Sequence, residues 1–147
     1  MTDQLQPKPI HILLVDDDED DRYLTKEAFH QHYPASRISF AEDGEDMLEF
    51  LKYEGRYTGA DHPLPELILL DLNMPRLNGF EALKLLRNHP TYQATPIVIL
   101  TTSEAEADRQ QASGLGANDF ITKPLNAALL GQIVDQLRTE WLVGRCV

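Results

Sequence analysis

Three apolar runs, Ile10 to Val15, Leu67 to Leu70 and Ile97 to Leu100, each lie just behind a proline, and each stops at a polar residue: Asp16-Asp17, Asp71 and Thr101. A fourth, shorter run, Phe120-Ile121-Thr122, ends at Lys123-Pro124. From Ile12 to Val15, and throughout the second and third runs, no polar residue breaks the apolar sequence. That is the pattern of strands buried on both faces, which do not alternate apolar with polar. Helical patterns separate the runs, and strands alternating with helices indicate a parallel sheet covered on both sides. With right-handed crossovers the expected fold is α/β and doubly wound, and in such folds ligands sit beyond the carboxyl ends of the strands. The polar residues that close the four runs therefore converge on one edge, although more than a hundred positions separate the first from the last.

The remaining elements follow from local signals. Asp20 and Asp21 favour a helix amino end through the macrodipole, and Tyr23, Leu24, Ala28 and Phe29 supply an apolar stripe up to Tyr33-Pro34. Ile38 to Ala41 is expected as a short strand, Asp43-Gly44 as a turn, and Met47, Leu48, Phe50 and Leu51 as the buried side of a second helix. Tyr53 to Pro65 is a long loop, and the Pro, Asn and Gly content of Leu72 to Gly79 marks another. Phe80, Leu83, Lys84 and Leu86 recur at helical spacing, Asn88 to Thr95 is a connection, and Ala105 to Ser113 is a polar helix ending at Gly114. Asn126 to Trp141 is the last helix, with Leu129, Leu130, Ile133, Val134, Leu137 and Trp141 apolar.

Length and charge narrow the function. A chain of 147 residues suits one domain, expected over 10–142, between a flexible start at 1–9 and a short tail at 143–147. The net charge of -11, from 13 basic and 24 acidic residues, disfavours binding to nucleic acid or to an anionic membrane surface. Met1 to Pro9 has no apolar core of a signal peptide, and no apolar run reaches the roughly 18 residues of a membrane span, so a cytoplasmic location is expected. The lone cysteine, Cys146, rules out an intramolecular disulfide and a cysteine-based zinc site.

The converging set has a definite chemistry. An acidic run with no other purpose has no reason to begin where a buried strand ends, whereas a metal site does. Hard oxygen ligands in small number suit Mg²⁺, which keeps several waters for itself. A cation among clustered carboxylates keeps a nucleophilic aspartate ionised at neutral pH. Phosphoryl transfer to such an aspartate then requires mainly positioning and charge neutralisation, from the ion, the Lys123 ammonium and the Thr101 hydroxyl.

Asp16-Asp17 behind the first strand, Asp71-Leu72-Asn73-Met74-Pro75 with Gly79, Thr101, and Lys123-Pro124 preceded by Phe120 together resemble the receiver domain of response regulators, from Ile10 to about Leu142. The resemblance implies a flavodoxin-like, five-stranded parallel sheet of order 2-1-3-4-5 with five helices. It implies Asp71 as phosphoacceptor and Asp17 as a direct Mg²⁺ ligand, with Asp16 acting through water and Asn73 giving a backbone carbonyl. Thr101 and Lys123 would bind the phosphoryl oxygens, Phe120 would be the rotating aromatic switch, and the Lys123-Pro124 peptide is expected to be cis. The long Tyr53 to Pro65 and Asn88 to Thr95 connections, Thr101-Thr102-Ser103 and Glu140-Trp141-Leu142 are similar to single-domain regulators that partner bacterial and cyanobacterial phytochromes. The expected partners are thus a sensor histidine kinase of phytochrome type, an unknown downstream protein, and a second copy of the chain through the apolar-rich last helix.

Two other classes compete. Asp16-Asp17-Asp18 contains the D-x-D element of haloacid-dehalogenase phosphatases, which also need an acidic metal site on a strand end after the lysine; only Asn126, Asp135 and Glu140 follow Lys123. A phosphorylation-independent binding module would be expected to lack Asp71, Lys123 or the acidic pair, and all are present.

Overall fold

The computed structural model describes residues 10–52, 58–59, 64–72, 74, 78–123 and 126–142. In chain order it contains β1 (Ile10–Val15), α1 (Glu19–His32), β2 (Ser36–Ala41), α2 (Gly44–Lys52), β3 (Leu67–Leu70), α3 (Gly79–Asn88), β4 (Ile97–Thr101), α4 (Glu106–Gly114), β5 (Asp119–Thr122) and α5 (Ala127–Leu137). A π-helical turn, Arg138–Leu142, closes the last helix. The strands form one parallel sheet in the order β2-β1-β3-β4-β5. This is the doubly wound sheet expected from the apolar runs, in the flavodoxin-like strand order that the resemblance implies.

Period-two alternation divides the core. Leu13, Val15, Ile68, Leu70, Ile97, Ile99 and Phe120 join α2 and α3 residues such as Met47, Phe50, Leu83 and Leu86 on one side of the sheet. Ile10, Ile12, Leu14, Leu67, Leu69, Val98 and Leu100 pack on the other side against Ala28 and Phe29 of α1 and Leu130, Val134 and Leu137 of α5. Every residue of β3 and β4 is buried, as the unbroken apolar runs require. Helices α1 and α5 lie close because Gly131 has no side chain: a Cβ there would meet the His32 ring. His32 Nδ1 lies 3.3 Å from Asp135 Oδ1 across the same contact.

Three helix starts are capped by side chains. Asp18 caps α1, its carboxylate accepting from the Asp21 N–H at 3.1 Å. Asn78 and Glu81 form a capping box on α3, and Asn126 caps α5.

Several boundaries differ from the sequence expectation. β2 begins at Ser36 rather than Ile38, because Ser36 already faces Ile10 in the ladder and closes a turn onto the Tyr33 carbonyl. On α1, Tyr23 is 62% exposed and Thr25 takes the buried place, its hydroxyl satisfied by the Asp21 carbonyl at 2.8 Å. Leu129 is likewise exposed. The α-helical part of the last helix ends at Leu137, and the side chains of Trp141 and Leu142 lie outside the described part, as do residues 1–9 and 143–147. Among the described residues no helix is long and apolar enough to cross a membrane.

The Asn88 to Thr95 connection is ordered by one side chain. The Arg87 guanidinium donates to the carbonyls of Tyr92 at 2.9 Å, Gln93 at 3.2 Å and Thr95 at 2.8 Å. It also donates to the Gly116 carbonyl at 2.8 Å and to Asn118 Oδ1 at 2.6 Å. Asn118 Oδ1 in turn accepts from the Ile97 N–H at 2.8 Å, where β4 begins. Burial lowers the Arg87 pKa, yet the group stays charged and its carbonyl partners replace water. Replacing it by an apolar chain would leave several half-buried acceptors unpaired. Arg87→Met is expected to cost on the order of 3 kcal/mol, read as a lower urea midpoint with an unchanged slope.

Candidate functional site

The ladders run one residue beyond the assigned strands at the carboxyl edge. The Asp16 N–H donates to the Ala41 carbonyl and the Asp71 N–H to the Val15 carbonyl, both at 3.0 Å, and the Lys123 N–H donates to the Thr101 carbonyl. Side-chain direction therefore continues the alternation of the strands. Asp16, Asp71 and Lys123 share the parity of residues that face α1 and α5, whereas Thr101 shares that of residues facing α2 and α3. The fold thus gathers the three charged groups on one side of the sheet edge, with the Thr101 hydroxyl on the other.

Lys123 is the centre of the charged side. With 1% of its side chain exposed, its ammonium donates to Asp16 Oδ2 at 2.6 Å, to Asp21 Oδ2 at 2.9 Å and to Asp71 Oδ2 at 3.5 Å. Burial by itself would lower the Lys123 pKa, but the hydrogen bonds to Asp16 and Asp21 and the charges of Asp16 and Asp71 outweigh it, holding the group above the usual lysine range. For Asp16 the balance tips the other way. Burial pushes its carboxyl up, the Asp71 charge adds to this, and the bonds from Lys123 and the Asp18 N–H oppose it without cancelling it. The Asp16 backbone is fixed as well, its carbonyl accepting from Arg22 Nη1 at 2.7 Å.

Asp16, Asp17 and Asp71 each present a carboxylate oxygen within 4.8 Å of the others, Asp17 exposed and the other two buried. Three hard oxygens in that span, open to solvent on one side, fit a small divalent cation that retains waters. Asn73, expected to add a backbone carbonyl, lies outside the described residues, as do Pro75 and the proline of the Lys123-Pro124 peptide expected to be cis.

Gly79 stands directly behind the Asp71 loop. Its N–H donates to the Leu72 carbonyl at 3.1 Å, and a Cβ there would run into the Asp71 carbonyl oxygen and lie 2.6 Å from the Leu72 Cα. Only glycine lets the start of α3 approach the backbone that carries Asp71 this closely.

On the other side of the edge, Thr101 is fully buried and its hydroxyl oxygen accepts from the Ser103 N–H at 3.3 Å. Ser103 Oγ donates to Asp108 Oδ2 at 2.6 Å, and the Thr122 hydroxyl donates to the Ser103 carbonyl at 3.5 Å. Phe120 is already 8% exposed, and the Arg109 guanidinium lies 5.0 Å from its ring centroid. Asp16, Asp17, Asp71, Thr101 and Lys123 therefore come to one edge as the sequence pattern requires, with Phe120 two strand positions behind. Asp21 was read from sequence only as a helix-start acid; its pairing with Lys123 is a tertiary contact. The signal for it was parity, since the strand-end charges face α1 and the first turn of α1 carries the nearest additional acids.

The family model for the response regulator receiver domain matches residues 12–135. The response regulator Rcp1 of Synechocystis sp. is 34% identical over 142 residues, covering 97% of this chain and 95% of that protein. Among solved structures, the phosphorylated cyanobacterial phytochrome response regulator RcpA superposes with a TM-score of 0.82 at 36% identity, covering 92% of this chain and 95% of that one. The Mn(2+)-bound form of Rcp1 gives 0.80 at 34% identity, with 91% and 95% covered.

Because the folded-state pKa of Lys123 is raised, its ion pairs contribute stability that is fully present below the unfolded value of 10.5 and is lost as pH rises through the folded one. Denaturant titrations across the alkaline range are expected to show this decline in the wild type. Lys123→Met should lack that component, so the gap between the two proteins narrows with rising pH; a gap independent of pH would contradict the pairing.

Proposed function

The chain belongs to the response regulator receiver family, and from that membership we propose that it is a phosphorylation-controlled switch in which Asp71 is the phosphoacceptor. Receiver domains of two-component systems take their phosphoryl group from a sensor histidine kinase. In the proposed reaction an Asp71 carboxylate oxygen attacks phosphorus as the N–P bond of a phosphohistidine breaks, the electron pair staying on the histidine nitrogen. Later, water attacks phosphorus, the O–P bond breaks, and Asp71 is regenerated. The chain needs no other enzymatic activity than this self-phosphorylation and autodephosphorylation.

The observation that carries this reading is the buried Lys123 ammonium 3.5 Å from Asp71, held there by other carboxylates. A cation so placed can follow charge that arrives on Asp71 without being stripped from water at that moment. Asp16, Asp17 and Asp71, with the Asn73 backbone carbonyl, would hold Mg²⁺. When bound, the ion supplies charge neutralisation for the phosphoryl oxygens.

Phosphorylation adds about two negative charges. An ammonium about 4 Å from a unit charge is worth on the order of 4 kcal/mol at an effective dielectric of 20. Inverting a two-state population from 1:99 to 99:1 takes about 5.5 kcal/mol, so the Lys123 contact with one Thr101 hydrogen bond is of the size a switch requires. Thr101 would turn toward the phosphoryl oxygens, and Phe120, under Arg109, would respond to the space this leaves.

The similarity to RcpA and Rcp1, the first a phytochrome response regulator, supports a phytochrome-type kinase as the donor. Output would pass to a downstream protein or through a homodimer built on the last helix and Trp141. The acidic surface and the absence of a spanning helix among the described residues support a cytoplasmic protein that leaves nucleic acid and membranes alone.

Incubation with a small acyl phosphate and Mg²⁺ is expected to add one phosphate to the intact mass, and Asp71→Asn is expected to take none. Labelling that survives in that variant would transfer the role to another residue. For the assembly, sedimentation should give a dimer for the wild type and a monomer for Trp141→Ala; equal masses would remove Trp141 from the interface.

A further inference from the structure

Ser103 is tied at every polar atom it has. Its N–H donates to the Thr101 hydroxyl oxygen at 3.3 Å, and its carbonyl accepts from the Thr122 hydroxyl at 3.5 Å. Its own hydroxyl donates to Asp108 Oδ2 at 2.6 Å and accepts from the Ala105 N–H at 3.3 Å. The bond to Asp108 is the short one, as expected of a hydroxyl held by a carboxylate. Ala105 gives α4 no side-chain cap, so Ser103 is the side chain that fastens the connection after β4 to the start of that helix.

Thr101 is the group this arrangement holds. Fully buried, its hydroxyl accepts from Ser103 and donates to nothing among the described residues. In the β3 and β4 register Leu70 faces Ile99, so Asp71 is level with Leu100, and Thr101 comes next with its side chain on the alternate side of the edge. To reach a phosphoryl group on Asp71, the hydroxyl has to turn to another staggered position, which takes its oxygen away from the Ser103 N–H. That N–H is then left without an acceptor in a half-buried place, which is costly. The peptide recovers one by rotating outward toward water, and the rotation pulls the Ser103 hydroxyl off Asp108. Resting on the proposed roles of Asp71 and Thr101, we infer that Ser103 and Asp108 form a latch: they hold the Thr101 hydroxyl in its resting position, and Thr101 engages the phosphoryl group only as the bond between them opens.

A latch and an aiming device predict opposite signs. If the Ser103 N–H aimed the Thr101 hydrogen at Asp71, loosening Ser103 would weaken the hold on a phosphoryl group. If it holds the hydroxyl back, loosening Ser103 strengthens that hold, because a larger fraction of the molecules is then competent. Beryllofluoride with Mg²⁺ mimics an aspartyl phosphate and binds reversibly, so its affinity reads this balance.

At saturating Mg²⁺, Ser103→Ala is expected to bind beryllofluoride about tenfold more tightly than wild type in a calorimetric titration, the order that one hydrogen bond to a charged group is worth. Asp108→Ala should give a gain of the same size, and the double variant no more than either, since both changes break one bond. In a Thr101→Val background, where no hydroxyl is held, Ser103→Ala should leave the affinity unchanged. A crystal structure of the wild type with beryllofluoride should show Thr101 Oγ turned to the fluorides and Ser103 Oγ beyond hydrogen-bond distance of Asp108. Unchanged or weaker binding by Ser103→Ala, additive gains, an equal gain without the Thr101 hydroxyl, or a complex in which Ser103 still holds Asp108 would each overturn the inference. A wild type that binds no beryllofluoride would instead remove the phosphoacceptor role on which it rests.

Discussion

An ammonium group with 1% of its side chain exposed can stay charged only where carboxylates take the place of its water, and Lys123 finds them on three separate elements: the end of β1, the first turn of α1 and the end of β3. No pair of these residues is close in sequence to Lys123; the nearest, Asp71, is 52 positions away. The parallel sheet brings Asp16, Asp71 and Lys123 together by ending β1, β3 and β5 on one edge, and the register of those strands turns their next side chains to the same side, toward Asp21 of α1. The carboxylates in turn depend on the lysine, since Asp16 and Asp71 would otherwise face each other across a buried gap. Its removal would break all three of these contacts at once and leave the edge with carboxylates alone.

The site has two sides because the sheet has two faces. Charge gathers toward α1, and the Thr101 hydroxyl with the Phe120 ring lies toward the opposite core. Gly79 adds the closest constraint, setting the start of α3 directly against the backbone of Asp71 and Leu72. A change at Asp71 therefore meets firm packing behind it and a cation beside it.

Much of this was legible in the residues. Strands buried on both faces write themselves as unbroken apolar runs, so β1, β3 and β4 could be placed to within a residue, and the polar residues that stop them marked the edge. β2 and α1 were less legible because they are half-exposed. Ser36 and Arg37 do not look like strand, and Tyr23 fits a helical stripe that Thr25 actually occupies, its hydroxyl satisfied locally and thus invisible to a hydropathy pattern. Asp21 escaped for a different reason: an acid in the first turn of a helix already has a sufficient local explanation. Its bond to Lys123 spans 102 positions and depends on the angle at which α1 crosses the sheet, which no local pattern encodes.

Arg87 binds the opposite, amino-terminal end of the sheet, where one guanidinium holds the connection into β4 and the turn into β5 at once. The two strands that carry Thr101 and Lys123 are thereby clamped at the ends remote from those residues. The same guanidinium that stabilises a surface connection therefore also anchors the two strands whose other ends carry Thr101 and Lys123, so the far end of the sheet and the charged edge are built on one shared pair of strands.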